Sequence, residues 1–253
     1  MNIALITGAS SGMGRDFARL LDKEGLDQLW VVARRENRLE ELQEQLTTPV
    51  KVLAADLTKS EDLQRITELL ASEKPRVKCL VNCAGFGKFG DYEEIALEHQ
   101  MDMIDLNVKA LVSVTQITLP YMSRGDRIIQ LCSSSAFFPL PYLNVYASTK
   151  AFVQHYSYGL QEELKPRGIT VTQVSPGWVQ TEFFDGSQND TSKHAPKKYS
   201  PMYSSMQVVQ KAIKDAKKGK PVSVCGTFVK FHRLAGRFAP RWFMKAQWRS
   251  RLR

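Results

Sequence analysis

The sequence predicts an α/β protein built on a doubly wound parallel sheet with helices on both faces. Two observations carry this. Short β-rich apolar runs alternate with amphipathic helical stretches along most of the 253 residues, and such alternation buries parallel strands between helices. A glycine-rich turn joins the first strand to the first helix, where open α/β sheets place their ligand crevice.

In order, Ile3–Thr7 reads as a buried strand and Gly12–Lys23 as a helix with Phe17, Leu20 and Leu21 on one face. Leu29–Ala33 is the second strand and Glu36–Leu46 a charged amphipathic helix. Val50–Ala55, Cys79–Asn82, Arg127–Cys132 and Thr170–Ser175 are further strands, with helical stretches near 60–72, 96–119 and 145–164 between them. Val222–Cys225 fits a last strand. The polar stretch Asp185–Ser200 reads as a long loop lying over a site. No repeat or linker divides the chain, so a single domain is expected over 1–253. It has a cofactor half over about 1–125, a catalytic and substrate part over about 126–225, and a tail over 226–253.

With 43% hydrophobic and 24% charged residues, 15 Gly and 11 Pro, the composition is that of a globular chain, not a fibrous or low-complexity one. No apolar run approaches the roughly 18 residues of a membrane-spanning helix. The strand-like start Asn2-Ile3-Ala4-Leu5 has no basic flank and no small-residue cleavage site. Cys79, Cys83, Cys132 and Cys225 are spaced for neither zinc nor redox chemistry and are expected as reduced core residues of a cytoplasmic protein. The four histidines are scattered, so no metal site is expected.

Thr7-Gly8-Ala9-Ser10-Ser11-Gly12-Met13-Gly14 is the glycine-rich turn. Its glycines permit a tight turn and close backbone approach, and the following helix N-terminus faces a diphosphate. Strand two ends Val32-Ala33-Arg34-Arg35, without the acidic residue that binds a ribose 2′-hydroxyl. Guanidinium groups in that place suit a 2′-phosphate, so NADP(H) is the expected cofactor.

Tyr146 and Lys150 form Y-x-x-x-K, which puts an ammonium beside a phenol on one helix face. That positive charge is expected to lower the phenol pKa toward a range useful for proton transfer. Ser133, Ser134 and Ser135 follow the Arg127–Cys132 strand, and spacing alone does not choose among them as donor to a carbonyl oxygen.

Together these motifs resemble the Rossmann-type branch of the short-chain dehydrogenase/reductase family. The glycine turn matches T-G-x-x-x-G-x-G. Asn82-Cys83-Ala84-Gly85 matches N-N-A-G with Cys83 departing from the second asparagine, and Pro176-Gly177-Trp178-Val179-Gln180-Thr181 matches P-G-x-x-x-T. The resemblance selects Ser133 from the three serines and implies that it stabilises the oxyanion. It implies Tyr146 as general acid/base and Lys150 on the cofactor ribose. Asn107 is implied as anchor of a water that relays protons to Lys150. Gly8, Ser10, Ser11, Gly12, Met13, Gly14, Arg34, Arg35, Asp56, Leu57, Asn82, Ala84, Gly85, Pro176, Gly177, Val179 and Thr181 are the expected cofactor contacts. The resemblance implies a homo-dimer or homo-tetramer.

Aromatic residues cluster beside the motifs at Phe86, Phe89, Phe137, Phe138, Tyr142, Trp178, Phe183 and Phe184; of these, Phe86, Phe137, Tyr142, Trp178, Phe183 and Phe184 are expected to line a pocket for a bulky apolar carbonyl or alcohol, the others to pack in the core. The alternative is a catalytically silent NADP-binding regulator or scaffold, which needs only the cofactor half.

The net charge of +9 is unevenly placed. Residues 216–253 hold eleven of the 35 Lys/Arg and no Asp/Glu, leaving 24 basic against 26 acidic groups elsewhere. In the tail, Phe231, Leu234, Phe238 and Trp242 share a helical stripe beside Lys230, Arg233, Arg237 and Arg241, and Pro240 starts a second helix. Phe228–Phe238 is expected to pack on the fold, and Arg241–Arg253 to touch an anionic membrane surface. The tail carries no recognised nucleic-acid module, and no nucleic-acid partner is expected.

Overall fold

The computed structural model describes residues 1–182, 194–196 and 199–252. Phe183, Phe184 and most of the expected loop Asp185–Ser200 lie outside the described residues.

The chain runs β1 (Asn2–Thr7), α1 (Gly12–Leu21), β2 (Gln28–Ala33), α2 (Glu36–Gln43), β3 (Val50–Ala54), α3 (Ser60–Glu73) and β4 (Arg76–Asn82). A long helix follows as α4 (Leu97–Ile104), a π-helical turn (Asp105–Ala110) and α5 (Leu111–Thr118). Then come β5 (Arg127–Leu131), a 3-10 turn (Ser134–Phe137), α6 (Asn144–Leu164), β6 (Thr170–Val174), β7 (Trp178–Gln180) and β8 (Met202–Ser204). The chain continues through α7 (Ser205–Lys217), β9 (Val222–Ser223), α8 (Thr227–Phe238) and α9 (Arg241–Arg249).

Seven strands form one parallel sheet in the order β3-β2-β1-β4-β5-β6-β9. The chain winds outward from β1 to β3, then returns to β4 on the other side of β1. The strand order therefore reverses between β1 and β4, and the crevice outside their carboxyl ends is the ligand position of such sheets.

Alternation along β1 fixes the two layers. Ala4 and Ile6 pack with Phe17, Leu21, Val208 and Val209 on one face, and Ile3 and Leu5 pack with Trp30, Leu70, Val114 and Leu160 on the other. Each fully buried Ile or Leu contributes roughly 1.5–3 kcal/mol by leaving water.

Helix α7 and the pairing of β7 with β8 were not among the elements expected from sequence. Ser204 caps α7: its hydroxyl accepts from Gln207 N at 3.2 Å while Gln207 Oε1 accepts from Ser204 N at 3.2 Å. This reciprocal box, ahead of apolar Val208, Val209, Ala212 and Ile213, is the signal that finds the helix.

The tail forms the two expected helices with Pro240 at their junction; Phe228–Phe238 packs on the fold as expected, and Arg241–Arg249 buries one side as well. Met244, Trp248 and Leu252 are buried, while Phe231, Leu234, Phe238 and Trp242 are 59–73% exposed. Helix α8 buries its other side, through Val229 and His232. A helical wheel reveals an apolar stripe but not which side the fold covers.

Candidate active site

Two cavities meet at the carboxyl ends of the central strands. The first is a cleft of about 530 Å³ along the glycine turn. Gly8 has φ +68°, and a Cβ there would lie 2.8 Å from Ala84 N, so only glycine permits the approach of the two loops. Thr7, a residue not singled out from sequence, ties them together. Its buried Oγ1 accepts from Cys83 N at 3.0 Å and Ala84 N at 3.1 Å.

Gly8, Ser10, Ser11, Gly12, Met13 and Gly14 line this cleft, as do Arg34, Arg35, Asp56, Leu57, Ala84 and Gly85. Arg35 reaches back over the turn, donating to Ser10 Oγ at 3.2 Å and to Glu182 Oε2 at 3.2 Å. Asp56 accepts from Thr58 N and Oγ1 at 3.0 and 2.8 Å. Burial pushes its carboxyl up, yet the Thr58 bonds and the nearby Arg34 charge more than offset this and hold it below its ordinary value. Asn82 is absent from the lining. Its Nδ2 donates to Thr115 Oγ1 at 2.9 Å and Gln130 Oε1 at 3.0 Å, a buried knot beneath the Cys83–Gly87 loop. It supports that loop from below.

The second cavity holds Ser133, Tyr146 and Lys150, with walls from Phe89, Phe138, Leu140, Leu143, Trp178 and Trp248. Pro176, Gly177, Val179 and Thr181 also line it. Met13, Cys83, Gly85, Leu131 and Thr181 line both cavities, so the two join there.

Ser133 lies just past the end of β5 and caps the 3-10 turn, its Oγ accepting from Ser135 N at 3.2 Å. The Ser133 and Tyr146 hydroxyls share a hydrogen bond, which singles Ser133 out from its neighbours. Lys150 is 3% exposed; its Nζ donates to Leu131 O at 2.9 Å and lies 5.7 Å from the Tyr146 ring centre. Burial lowers the Lys150 ammonium below its ordinary value. Burial also pushes the Tyr146 phenol well above its ordinary value, and the Ser133 bond only partly offsets this. The expected depression of the phenol by Lys150 is not among the influences on it in the protein alone, where burial favours the protonated form.

Asn107 sits on the π-helical turn and is fully buried. Its Nδ2 donates to Phe86 O at 2.9 Å and Thr149 Oγ1 at 3.1 Å, and its Oδ1 accepts from Phe86 N at 3.0 Å. Both amide hydrogens are committed within the protein. The side chain positions the loop beside Lys150 and has no amide hydrogen left to donate to a water. A Cβ on Gly85 would lie 2.7 Å from Asn107 Oδ1 and 3.4 Å from Lys150 Nζ, which places all three together.

The aromatic assignments divide. Trp178 lines the tyrosine cavity, but Phe86 lines the glycine-turn cleft instead. Phe137 turns toward α8, where its carbonyl lies 2.8 Å from the position of a Cβ on Gly236. Tyr142, at φ +64°, stacks on His194 at 4.0 Å and does not line the cavity. The neighbours Phe89 and Phe138 face the cavity in place of Phe86 and Phe137. His232, Gln247, Trp248 and Arg251 of the tail line it too and were not found from sequence. Burial lowers the His232 pKa at this wall of the cavity. The four cysteines are free, as expected; Cys79 and Cys132 are buried, and Cys83 and Cys225 partly exposed.

The family model described as short chain dehydrogenase matches residues 2–192. The chain belongs to the short-chain dehydrogenase/reductase family. It is similar to sulfoacetaldehyde reductase 2 of Chromohalobacter salexigens, 39% identical over 188 residues that cover 72% of this chain and 74% of that one. Among solved structures, a short-chain dehydrogenase from Sphingobium yanoikuyae in complex with NADPH has a TM-score of 0.80 at 28% identity, covering 94% and 93% of the two chains. The bulky-bulky ketone specific alcohol dehydrogenase from Comamonas testosteroni has a TM-score of 0.74 at 26% identity, covering 99% and 92%. The protein is thus an oxidoreductase of the short-chain dehydrogenase/reductase family with the doubly wound fold of its relatives.

Proposed function

We propose that the protein uses NADPH to reduce the carbonyl of a bulky apolar substrate, or NADP⁺ to oxidise the matching secondary alcohol, with Tyr146 as the general acid or base. The junction of the two cavities carries this reading: a glycine-lined cleft with two arginines opens into an aromatic cavity whose polar set is Ser133, Tyr146 and Lys150.

The cleft fits the cofactor. A Cβ on Gly14 would lie 2.2 Å from Gly8 O, so only glycine lets the first helix start this close against the turn. The N-terminus of α1 presents backbone N–H groups to a diphosphate, and Arg34 and Arg35 supply the positive charge for a 2′-phosphate. When bound, NADPH supplies a hydride to the substrate carbon.

The protein supplies the rest. The Ser133 and Tyr146 hydroxyls are hydrogen-bonded neighbours on the cavity wall, so one carbonyl oxygen can accept a bond from each. Tyr146 donates its proton to that oxygen as negative charge develops, and Ser133 stabilises the charge. The buried Lys150 ammonium keeps positive charge beside the phenolate left behind. Phe89, Phe138, Trp178 and Trp248 exclude water and contact apolar substrate on either side of the carbonyl. This favours a steroid, an aromatic ketone or a fatty-chain ketone over a small polar aldehyde. The Comamonas testosteroni neighbour, an alcohol dehydrogenase specific for bulky-bulky ketones, supports the same class.

Exposed Leu97 and Met101 on α4 and Phe152 and Tyr158 on α6 support a homo-dimer or homo-tetramer, and four free cysteines support a cytoplasmic location. The test is NADPH oxidation against a panel of steroid, aromatic, fatty-chain and small polar carbonyls. Turnover is expected on bulky apolar members. Preference for the small polar aldehydes overturns the substrate class, and no turnover on any member overturns the catalytic reading.

A further inference from the structure

We propose that the outer face of the α8–α9 hairpin is a docking surface for an anionic lipid bilayer, and that this contact sets the substrate cavity against the membrane. Twelve large hydrophobic side chains are exposed among the described residues, and five of them, Phe231, Leu234, Phe238, Trp242 and Phe243, fall within thirteen consecutive residues. Phe231, Leu234 and Phe238 follow i, i+3, i+7 spacing on α8 and so share one stripe. Trp242 and Phe243 extend it just past the bend at Pro240, with ring centres 6.0 Å apart. A monomer rarely leaves so many aromatic residues together in water without a partner for them.

Charge identifies the partner. Lys230, Arg233, Arg237, Arg241, Lys245 and Arg249 are all exposed on the same two helices. Among the described residues, none of the six pairs with a carboxylate. Residues 216–253 contain no Asp or Glu at all. A protein-binding face mixes charge signs around its apolar centre, whereas a helix lying on anionic lipid combines an apolar stripe with a purely basic flank. Trp242 suits the headgroup level, where an indole keeps an apolar body and a polar N–H. No helix among the described residues is long and apolar enough to cross a membrane, so the contact is peripheral.

The inner side of the same hairpin walls the substrate cavity through Phe228, Val229, His232 and Trp248. One pair of helices thus has lipid on its outer side and substrate on its inner side. An apolar ketone dissolved in the bilayer then reaches the cavity without crossing water. That delivery role rests on the apolar-carbonyl reading above; the lipid contact itself does not.

The test uses the full chain with vesicles of phosphatidylcholine alone and of an equimolar phosphatidylcholine–phosphatidylglycerol mixture. Sedimentation is run at about 0.01 M and about 1 M salt, where screening lengths are about 30 and 3 Å. Binding to the mixed vesicles at low salt, lost at high salt and absent with the neutral lipid, is expected. The pair F238S/W242S and the pair R237E/R241E should each cut vesicle binding at least about tenfold by removing apolar and ionic contacts respectively. Both pairs should keep NADPH affinity and turnover of a small water-soluble ketone. No binding by the full chain at low salt overturns the proposal. So does a change of oligomeric state in F238S/W242S with vesicle binding intact, which makes the face an interface between copies. Loss of all ketone turnover with vesicle binding intact strikes only the catalytic reading.

Discussion

Asn107 clasps the backbone of Phe86 from both sides, donating to its carbonyl at 2.9 Å and accepting from its N–H at 3.0 Å. A polar side chain buried in the middle of a helix thereby fixes the loop that separates the two cavities. The helix carries a π-helical turn at that residue, and such turns recur at functional sites. Asn107→Leu keeps the branched outline but leaves both Phe86 groups without their partner, at a stability loss of about 1–3 kcal/mol. Turnover is expected to fall because Gly85 and Lys150 lose their shared boundary. Urea unfolding and steady-state kinetics on one preparation check both. Unchanged stability would mean that the clasp is not formed in solution.

Tyr146→Phe removes one oxygen and keeps the ring. Folding and NADPH binding should persist, while ketone reduction falls at least about 10²-fold, the scale of a lost general acid. The pH dependence follows from the raised phenol. A phenol above its ordinary value keeps its proton until pH passes that value, so the donor is intact below about pH 10. The reduction rate should therefore stay level across neutral pH and fall only in strong alkali, as a pH profile of kcat/KM would record. A profile for reduction that falls near neutrality would falsify a neutral Tyr146 as donor.

Cofactor choice is expected to rest on Arg35 as much as Arg34, since Arg35 reaches over the turn to Ser10. Arg35→Glu reverses a charge beside the proposed 2′-phosphate and breaks the Glu182 pair. A charged hydrogen bond is worth about 1.5–3 kcal/mol, so NADPH should bind roughly 10–100-fold more weakly. NADH affinity should hold or improve. Arg34→Asp should move both affinities in the same directions. Dissociation constants for both cofactors by fluorescence titration decide. Unchanged NADPH affinity in both variants removes the arginines from cofactor recognition.

These chemical residues were legible in the sequence because their chemistry needs fixed residue types at fixed spacings. Tyr146 and Lys150 fall one turn apart on α6, and the glycines mark a turn that nothing larger fits. What was not legible depends on packing between distant segments. Asn107, on the π-helical turn, bonds Phe86 and Thr149, neither of them near in sequence. Phe86 and Phe89, or Phe137 and Phe138, carry the same side chain, and only the loop path decides which one faces the cavity. The tail stripe was readable, but His232 and Val229 on the opposite side of α8 take the burial. Trp248 reaches the cavity only because the chain folds back so that its indole donates to Pro141 O, 107 residues earlier.

Acid sensitivity should come from two buried carboxylates. Asp126 is fully buried and accepts from Arg76 Nε at 3.2 Å and Ser123 N at 2.7 Å, with Lys78 Nζ at 3.0 Å. Asp215 bonds Ser223 Oγ at 2.9 Å and pairs with Lys211 and Lys220. Burial raises both carboxyls, but these partners outweigh it and hold them below their ordinary value. The unfolded chain then binds more protons than the folded one near pH 4. The stability they contribute is present above the unfolded value of about 3.9 and is lost as pH falls through the folded values. Melting temperature should drop on acidification over that window, and less steeply in Asp126→Asn. Parallel slopes for the two proteins would assign the acid loss to other groups.

Trp248 ties the tail to Pro141 and Trp178. It is 6% exposed, stacks against Trp178 at 6.4 Å, and donates its indole N–H to Pro141 O at 2.7 Å. Because it also lines the cavity, removing it has two separable effects. Trp248→Ala loses a buried aromatic ring, and core Trp-to-Ala changes cost about 3–5 kcal/mol. Residues 241–252 are expected to loosen before the sheet, since Met244, Trp248 and Leu252 are the buried side chains of that segment. Hydrogen exchange should therefore rise in α8 and α9 with little change in β1 and β4. The second effect is on selectivity. Without the ring, kcat/KM for a bulky ketone should fall more than that for a small one, because the lost contact is to substrate distant from the carbonyl. Trp248→Phe restores most of the ring surface but not the indole donor, so it should recover selectivity more fully than stability. If the alanine variant lowers both substrates equally, Trp248 acts only by holding the tail in place, and the aromatic wall does not set the substrate class.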